Sequence, residues 1–151
     1  MIKSGERWGK SMFIGQYQYS IDDKGRLVIP QEYRKELGST IVIGKGADEC
    51  ITIYPVKVWE EFMEKLSNLP TNQVIHRAYT RLNSAFAFYR DFDSQGRIKI
   101  DDCLKSHAKI KKQCVVIGAN KVVEIWSQES WDEIEASSGE QLLDISEKIV
   151  F

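Results

Sequence analysis

The sequence predicts an α+β fold made of two pseudo-symmetric copies of one small β-rich unit in a single chain. Three observations carry that expectation: an ordered series of matches between the halves, period-two alternation in short segments bounded by turn residues, and amphipathic helical stretches between and after the copies. The matches begin where Asp22, Gly25, Arg26, Leu27 and Ile29 align with Asp93, Gly96, Arg97, Ile98 and Ile100. They continue in the same order, with Tyr33-Arg34 on Leu104-Lys105, Ile41 to Gly44 on Val115 to Gly118, Ile53-Tyr54 on Ile125-Trp126, and Trp59 on Trp131. A single match of this kind is weak. A run of them over some forty residues is a repeat.

Each element follows from local chemistry. Residues 16–21 alternate polar with apolar or aromatic side chains, as a half-buried strand does, and residues 26–29 resume the pattern after Asp22-Asp23-Lys24-Gly25. Gly25 supplies the positive φ that a tight hairpin of these two strands requires, and Asp22 is placed to accept hydrogen bonds from turn amides. Pro30 opens a short helix over 31–37 and Gly38 stops it. Residues 40–43 and 50–54 form a second hairpin around Lys45 to Asp48. The second copy repeats the series with 86–92, 97–100, 104–107, 113–117 and 122–126. A helix over 56–66 gathers Trp59, Phe62, Met63 and Leu66 on one stripe. After Pro70-Thr71 a second helix spans 72–83, with Val74, Ile75, Tyr79 and Leu82 as its expected buried side and Arg77 and Arg81 at helical spacing. The final helical segment, 129–143, is interrupted at Ser137-Ser138-Gly139. The expected organisation is an N-terminal extension (1–12), a first repeat (13–61), a helical linker (62–86), a second repeat (87–133) and a C-terminal tail (134–151).

Composition narrows the function classes. With 151 residues, 42% of them hydrophobic, the chain buries one compact core or two small lobes that share one. A formal charge of -1 gives no global attraction to phosphate, so any nucleic-acid binding must come from a local patch. Charge is uneven: eight bases face five acids from Met1 to Ala47, and two bases face eight acids from Asn120 onward. No apolar run approaches the roughly 20 residues needed to span a bilayer, and residues 1–11 lack a secretory apolar core, which predicts a cytoplasmic location away from the membrane. Cys50, Cys103 and Cys114 have no Cys-x-x-Cys spacing and are expected to be small buried or half-buried thiols. His76 and His107 form no metal motif. Neither a metal nor any other cofactor is expected. Carboxylates at Asp22/Asp23 and Asp91/Asp93 suggest an enzyme in principle, but the sequence offers no nucleophile with a base and no phosphate loop. No catalytic residue and no small-molecule substrate is expected.

The paired Asp-x-x-x-Arg segments at Asp22/Arg26 and Asp93/Arg97, the Ile53-Tyr54-Pro55 before Trp59, and the Val116-Ile117-Gly118 with Glu124-Ile125-Trp126 before Trp131 resemble the MraZ family. The resemblance covers nearly everything from Met12 to Glu133, and Met12-Phe13 looks like the family's usual start. That family is in turn similar to the AbrB swapped-hairpin DNA binders, with both halves on one chain. The resemblance implies an AbrB-like swapped-hairpin β-barrel unit in each copy and a ring-shaped homo-oligomer associated with the nucleoid. It also implies a regulator that binds direct repeats in the promoter of its own operon, within the cell-division and cell-wall gene cluster. Departures are Asp101, where the family tends to have proline, and Lys105, where it tends to have arginine.

On this basis the DNA-contact candidates are Lys24, Gly25, Arg26, Arg34 and Arg97. A guanidinium after a tight turn is presented to a phosphate or to the O6/N7 edge of guanine. The competing role is structural, with Asp22 and Asp93 pairing with the arginines and, with Gly96, bracing the turns. Asp101 is expected to weaken any basic surface near it. The alternative function is a non-catalytic ring scaffold that binds RNA or protein through the same surface.

Overall fold

Strand exchange between the two copies organises the structure, a computed structural model that describes residues 12–151. The expected extension lies outside the described residues except for Met12. The first copy supplies β1 (Gln16–Ser20), β2 (Arg26–Val28), α1 (Gln31–Leu37), β3 (Thr40–Lys45) and β4 (Ile51–Pro55). Two helices follow, α2 (Val56–Ser67) and α3 (Val74–Ala85). The second copy repeats the order as β5 (Phe88–Asp91), β6 (Arg97–Lys99), α4 (Asp102–His107), β7 (Gln113–Ala119) and β8 (Val122–Ser127), then α5 (Gln128–Ser138) and α6 (Leu142–Lys148). The order of elements is the one the repeat predicts. The interruption expected at Ser137-Ser138-Gly139 begins only at Gly139, since α5 runs through Ser138 and α6 starts at Leu142; Ser127 caps α5 by accepting a hydrogen bond from the Ser130 amide at 3.0 Å.

Six strands form one sheet in the order β1-β7-β8-β4-β3-β5. Only the β3/β4 and β7/β8 hairpins pair within a copy; β1/β7, β3/β5 and β4/β8 join one copy to the other. Exchanging the copies returns the same order read backwards, so the pseudo-symmetry expected from the repeat holds at the level of strand order. The remaining strands, β2 and β6, pair only with each other, Leu27 opposite Ile98. The tight hairpin expected of 16–21 with 26–29, and its repeat in the second copy, is therefore corrected: the turns after β1 and β5 carry the chain out of the sheet, so β1 does not pair with β2 nor β5 with β6. The described strands therefore make an open sheet and a separate two-stranded ladder, not a closed barrel in each copy.

Period-two alternation sends the two faces of the sheet to different layers. One face carries Ile41, Ile43, Ile51, Ile53, Val116 and Ile125, packed against Leu27, Ile29, Ile98 and Ile100 of the ladder segments and against Tyr33, Leu37 and Leu104 of α1 and α4. Truncation of one such buried Leu or Ile to Ala costs about 2–5 kcal/mol. The opposite face is covered by α2 over β3 and β4 and by α5 over β7 and β8. Tyr54, Trp59 and Phe62 cluster there, with ring centroids 5.1–6.1 Å apart. The ladder and the long helices thus lie on opposite sides of the sheet.

One expectation is corrected on α3. Val74 and Ile75 are each 71% exposed, Leu82 is 58% exposed, and no residue of the helix is fully buried. Among these, Tyr79 stacks edge-on to Phe62, yet it too remains largely accessible. The amphipathic stripe is real, but the folded chain does not cover it.

Candidate nucleic-acid interface

Both predicted turns close in the same way. Gly25 and Gly96 adopt φ of +76° and +73°, and each donates its amide to the carbonyl of the turn aspartate, Asp22 or Asp93, at 3.0 Å. Asp22 Oδ1 accepts the amides of Lys24 (2.9 Å) and Arg26 (2.8 Å), and Oδ2 accepts Arg26 Nε at 2.9 Å. Asp93 repeats this with the amides of Gln95 and Arg97, both at 2.9 Å, and with Arg97 Nε at 2.8 Å. The Arg26 amide holds the Asp22 carboxyl below the usual carboxylate range, with the guanidinium and the Lys24 amide adding to it against partial burial. The Arg97 amide does the same for Asp93.

The bracing role is therefore present in both copies, and it does not use up the arginines. Arg26 is engaged through Nε, so Nη1 and Nη2 have no hydrogen-bond partner among the described residues. The side chain is aimed by its brace and is still about a third exposed. Arg97 is held more closely: its Nη1 also lies 3.8 Å from Asp22 Oδ2, which ties the second turn to the first.

The β2/β6 ladder brings the two turns together. Leu27 and Ile98 point into the core, so Arg26, Val28, Arg97 and Lys99 line the outer side. The Ile29 amide donates to Gly96 O (3.1 Å) and the Ile100 amide to Gly25 O (2.8 Å), so each copy anchors the other's turn. Lys99 Nζ donates to Lys24 O at 3.0 Å, a cross-copy tie 75 residues apart in sequence. Arg34 donates from Nε to Ile29 O at 2.9 Å, and its guanidinium lies across the second turn: a Cβ built on Gly96 would sit 2.5 Å from Arg34 Cζ. Arg34 thus reaches the surface expected of it, but at the other copy's turn. Lys24, Arg26, Arg34, Arg97 and Lys99 face three carboxylates, Asp22, Asp23 and Asp93, giving a local cationic excess on a chain of net charge -1.

Sequence reasoning missed Lys99. It lies two residues beyond Arg97, and only the pairing of β2 with β6 puts it beside Lys24; the repeat gave no hint, because its aligned partner is Val28. Asp101 also departs from expectation. Its carboxylate accepts two hydrogen bonds from Arg90 Nη2, at 2.9 and 2.8 Å, so its charge is matched by a cation beside it and does not simply offset the patch. Cys50 and Cys114 are buried and Cys103 is half-buried, as expected of structural thiols. His107 Nε2 meets the carbonyls of Asp48 (2.9 Å) and Gly46 (3.3 Å), where it caps the β3/β4 loop. Among the described residues no group of three or more His, Cys, Asp or Glu is arranged to hold a metal, and no helix is long and apolar enough to cross a membrane.

These features define an internally duplicated α+β protein that presents a doubled, aspartate-braced cationic turn. A family model described as "MraZ protein, putative antitoxin-like" matches residues 12–82 and again residues 85–149. The chain is similar to the transcriptional regulator MraZ of Pediococcus pentosaceus, 42% identical over 92% of this chain and 97% of the relative. It is similar also to that of Moorella thermoacetica, 41% identical over 92% of this chain and 97% of the relative. A third, from Caldanaerobacter subterraneus subsp. tengcongensis, is 42% identical over 91% of this chain and 96% of the relative. The chain belongs to the MraZ family.

Proposed function

We propose that this protein is a DNA-binding transcription regulator whose contact surface is the Lys24-Gly25-Arg26 turn together with Arg97, Arg34 and Lys99. The observation that carries this is the aimed guanidinium of Arg26, fixed at Nε and without a hydrogen-bond partner at either Nη among the described residues, at the edge of a cationic ladder. A fork presented in this way suits a phosphate or the O6/N7 edge of guanine. The names of the relatives, transcriptional regulators covering nearly the same length, support the same reading. In its finer form, each copy is an AbrB-like swapped-hairpin unit, and the protein assembles as a ring-shaped homo-oligomer. The ring binds direct repeats in the promoter of its own operon, in the cell-division and cell-wall gene cluster, and is nucleoid-associated. The exposed apolar stripe of α3 supports assembly, since a surface of that kind is usually covered by a partner.

One turn makes too few contacts for tight binding, so affinity depends on several subunits engaging repeats together. Arg26→Ala is the test. On a fragment with a single repeat it should cost about 1–3 kcal/mol or less; on the multi-repeat promoter the loss should be far larger, because the contact vanishes from every engaged subunit. Binding should also weaken as salt rises. A variant that folds and assembles like the parent and binds the multi-repeat fragment equally well would show that Arg26 serves only to brace Asp22.

A further inference from the structure

The two copies differ in the connection between the short helix and the strand after it. In the first copy α1 and β3 are separated by two residues, Gly38 and Ser39; in the second, α4 and β7 are separated by five, Ala108 to Lys112. The longer connection is basic. From Cys103 to Val123 the chain has five lysines and no acid, and three of them, Lys109, Lys111 and Lys112, lie in this loop. Its path is fixed at both ends. The Ile110 side chain is buried and its amide donates to Lys105 O at 2.9 Å, while Lys112 O accepts the Ile21 amide, also at 2.9 Å. Ile21 precedes Asp22, so the loop borders the base of the Lys24-Gly25-Arg26 turn. At the equivalent place beside the second turn, Ser39 O accepts the Phe92 amide at 3.3 Å, and Gly38-Ser39 carries no charge. Lys109 is occupied by Glu49, with Nζ 2.7 Å from Oε2. Lys111 and Lys112 are exposed, and among the described residues neither side chain has an ion pair or hydrogen bond. One acid, Glu129, lines the same shallow surface and pairs with neither.

We propose that Lys111 and Lys112 are a second DNA contact, gripping backbone phosphates on the flank of the first turn. The proposal rests on the DNA-binding reading above and extends its contact surface. An ammonium on a flexible stem is a point charge without the planar fork that reads a base edge, so it suits a phosphate and carries no sequence information. Duplex DNA bears one charge per about 1.7 Å of axis, so a loop seated beside the turn meets further phosphates of the same duplex. Arg26 and Lys99 face each other at the end of the ladder next to Lys24. Lys111 and Lys112 bring the cations around that tip to five, against Arg34 and Arg97 at the other.

The test is the salt dependence of binding to a promoter fragment with a single repeat, using the full chain. Lys111→Gln with Lys112→Gln should weaken binding about tenfold or more near 0.1 M salt, and should flatten the slope of log K against log[salt] by about 1.8, the value for two phosphates. Base preference across randomised repeats should stay as in the parent, since phosphates are the same at every base pair. Lys111→Arg with Lys112→Arg keeps both charges and should restore affinity and slope. Lys57→Gln with Lys65→Gln removes the same net charge from α2, across the sheet from the ladder, and should leave the slope unchanged. An unaltered slope in the loop variant, an equal effect from the α2 pair, or a shifted base preference would each overturn the loop contact while the DNA-binding reading stands. A parent that binds no duplex overturns both.

Discussion

Arg26 and Arg97 occupy equivalent positions, yet their surroundings differ, most directly in one ion pair. The Nη1 of Arg97 is drawn to Asp22 of the other turn, while the Nη groups of Arg26 have no partner among the described residues, which makes Arg26 the better donor to an incoming anion. The thiols show how environment separates like residues in the same way. Burial pushes the Cys50 and Cys114 thiols up to about 12, so neither forms an appreciable amount of thiolate near neutrality, and both are shielded as well. Cys103 is half-buried and should alkylate first. Brief iodoacetamide treatment of the native protein at pH 8, followed by peptide mass analysis, should find the label on Cys103; equal labelling of all three would contradict the burial described. At this scale the sequence was informative where a residue acts through its neighbours in the chain, as Asp22 and Asp93 do on amides two and four residues on. It was silent on Lys99, Arg90 and the reach of Arg34, whose partners are brought close only by folding.

The two turns look interchangeable by dihedral angle but not by packing. A Cβ at Gly25 would meet the flexible end of Lys99, with Nζ 3.2 Å away, whereas a Cβ at Gly96 would strike the Arg34 guanidinium at 2.5–2.9 Å. Both substitutions to Ala carry the left-handed penalty of about 1–2 kcal/mol. Gly96→Ala should therefore destabilise more than Gly25→Ala in urea titrations, and adding Arg34→Ala should relieve the excess at Gly96 but not at Gly25. A double-mutant cycle with no coupling between positions 34 and 96 would refute the contact. Elements whose signal is local were legible: α1 behind Pro30, the β3/β4 hairpin and its repeat β7/β8, and α2 with its Trp59 stripe all fall where periodicity and turn residues place them, whereas the turn at Gly25 was legible but the pairing of the strands on either side of it was not. The apolar stripe of α3 was legible as well, but periodicity reports that a face will be covered and not by what.

Across the whole molecule, nearly every strand finds its partner in the other half. Repeat matching gave the duplication, but a linear pattern has no means of stating that β1 belongs on β7 and β5 on β3. A chain cut to residues 12–72 loses β5, β6, β7 and β8 together and should not fold as a monomer. It should be unfolded, or pair with a second identical chain whose β3 takes the place of β7. Circular dichroism and sedimentation would distinguish these outcomes, and a folded monomer would refute the exchange described. Joining the halves covalently also frees their tips from having to be alike. Two identical tips about a two-fold axis suit a palindrome, but here one tip carries Asp23-Lys24 and the other Ser94-Gln95. The ladder accordingly has a polarity, as an arrow does. A subunit laid along a duplex through both tips would point one way, and a row of such subunits on successive sites would all point the same way.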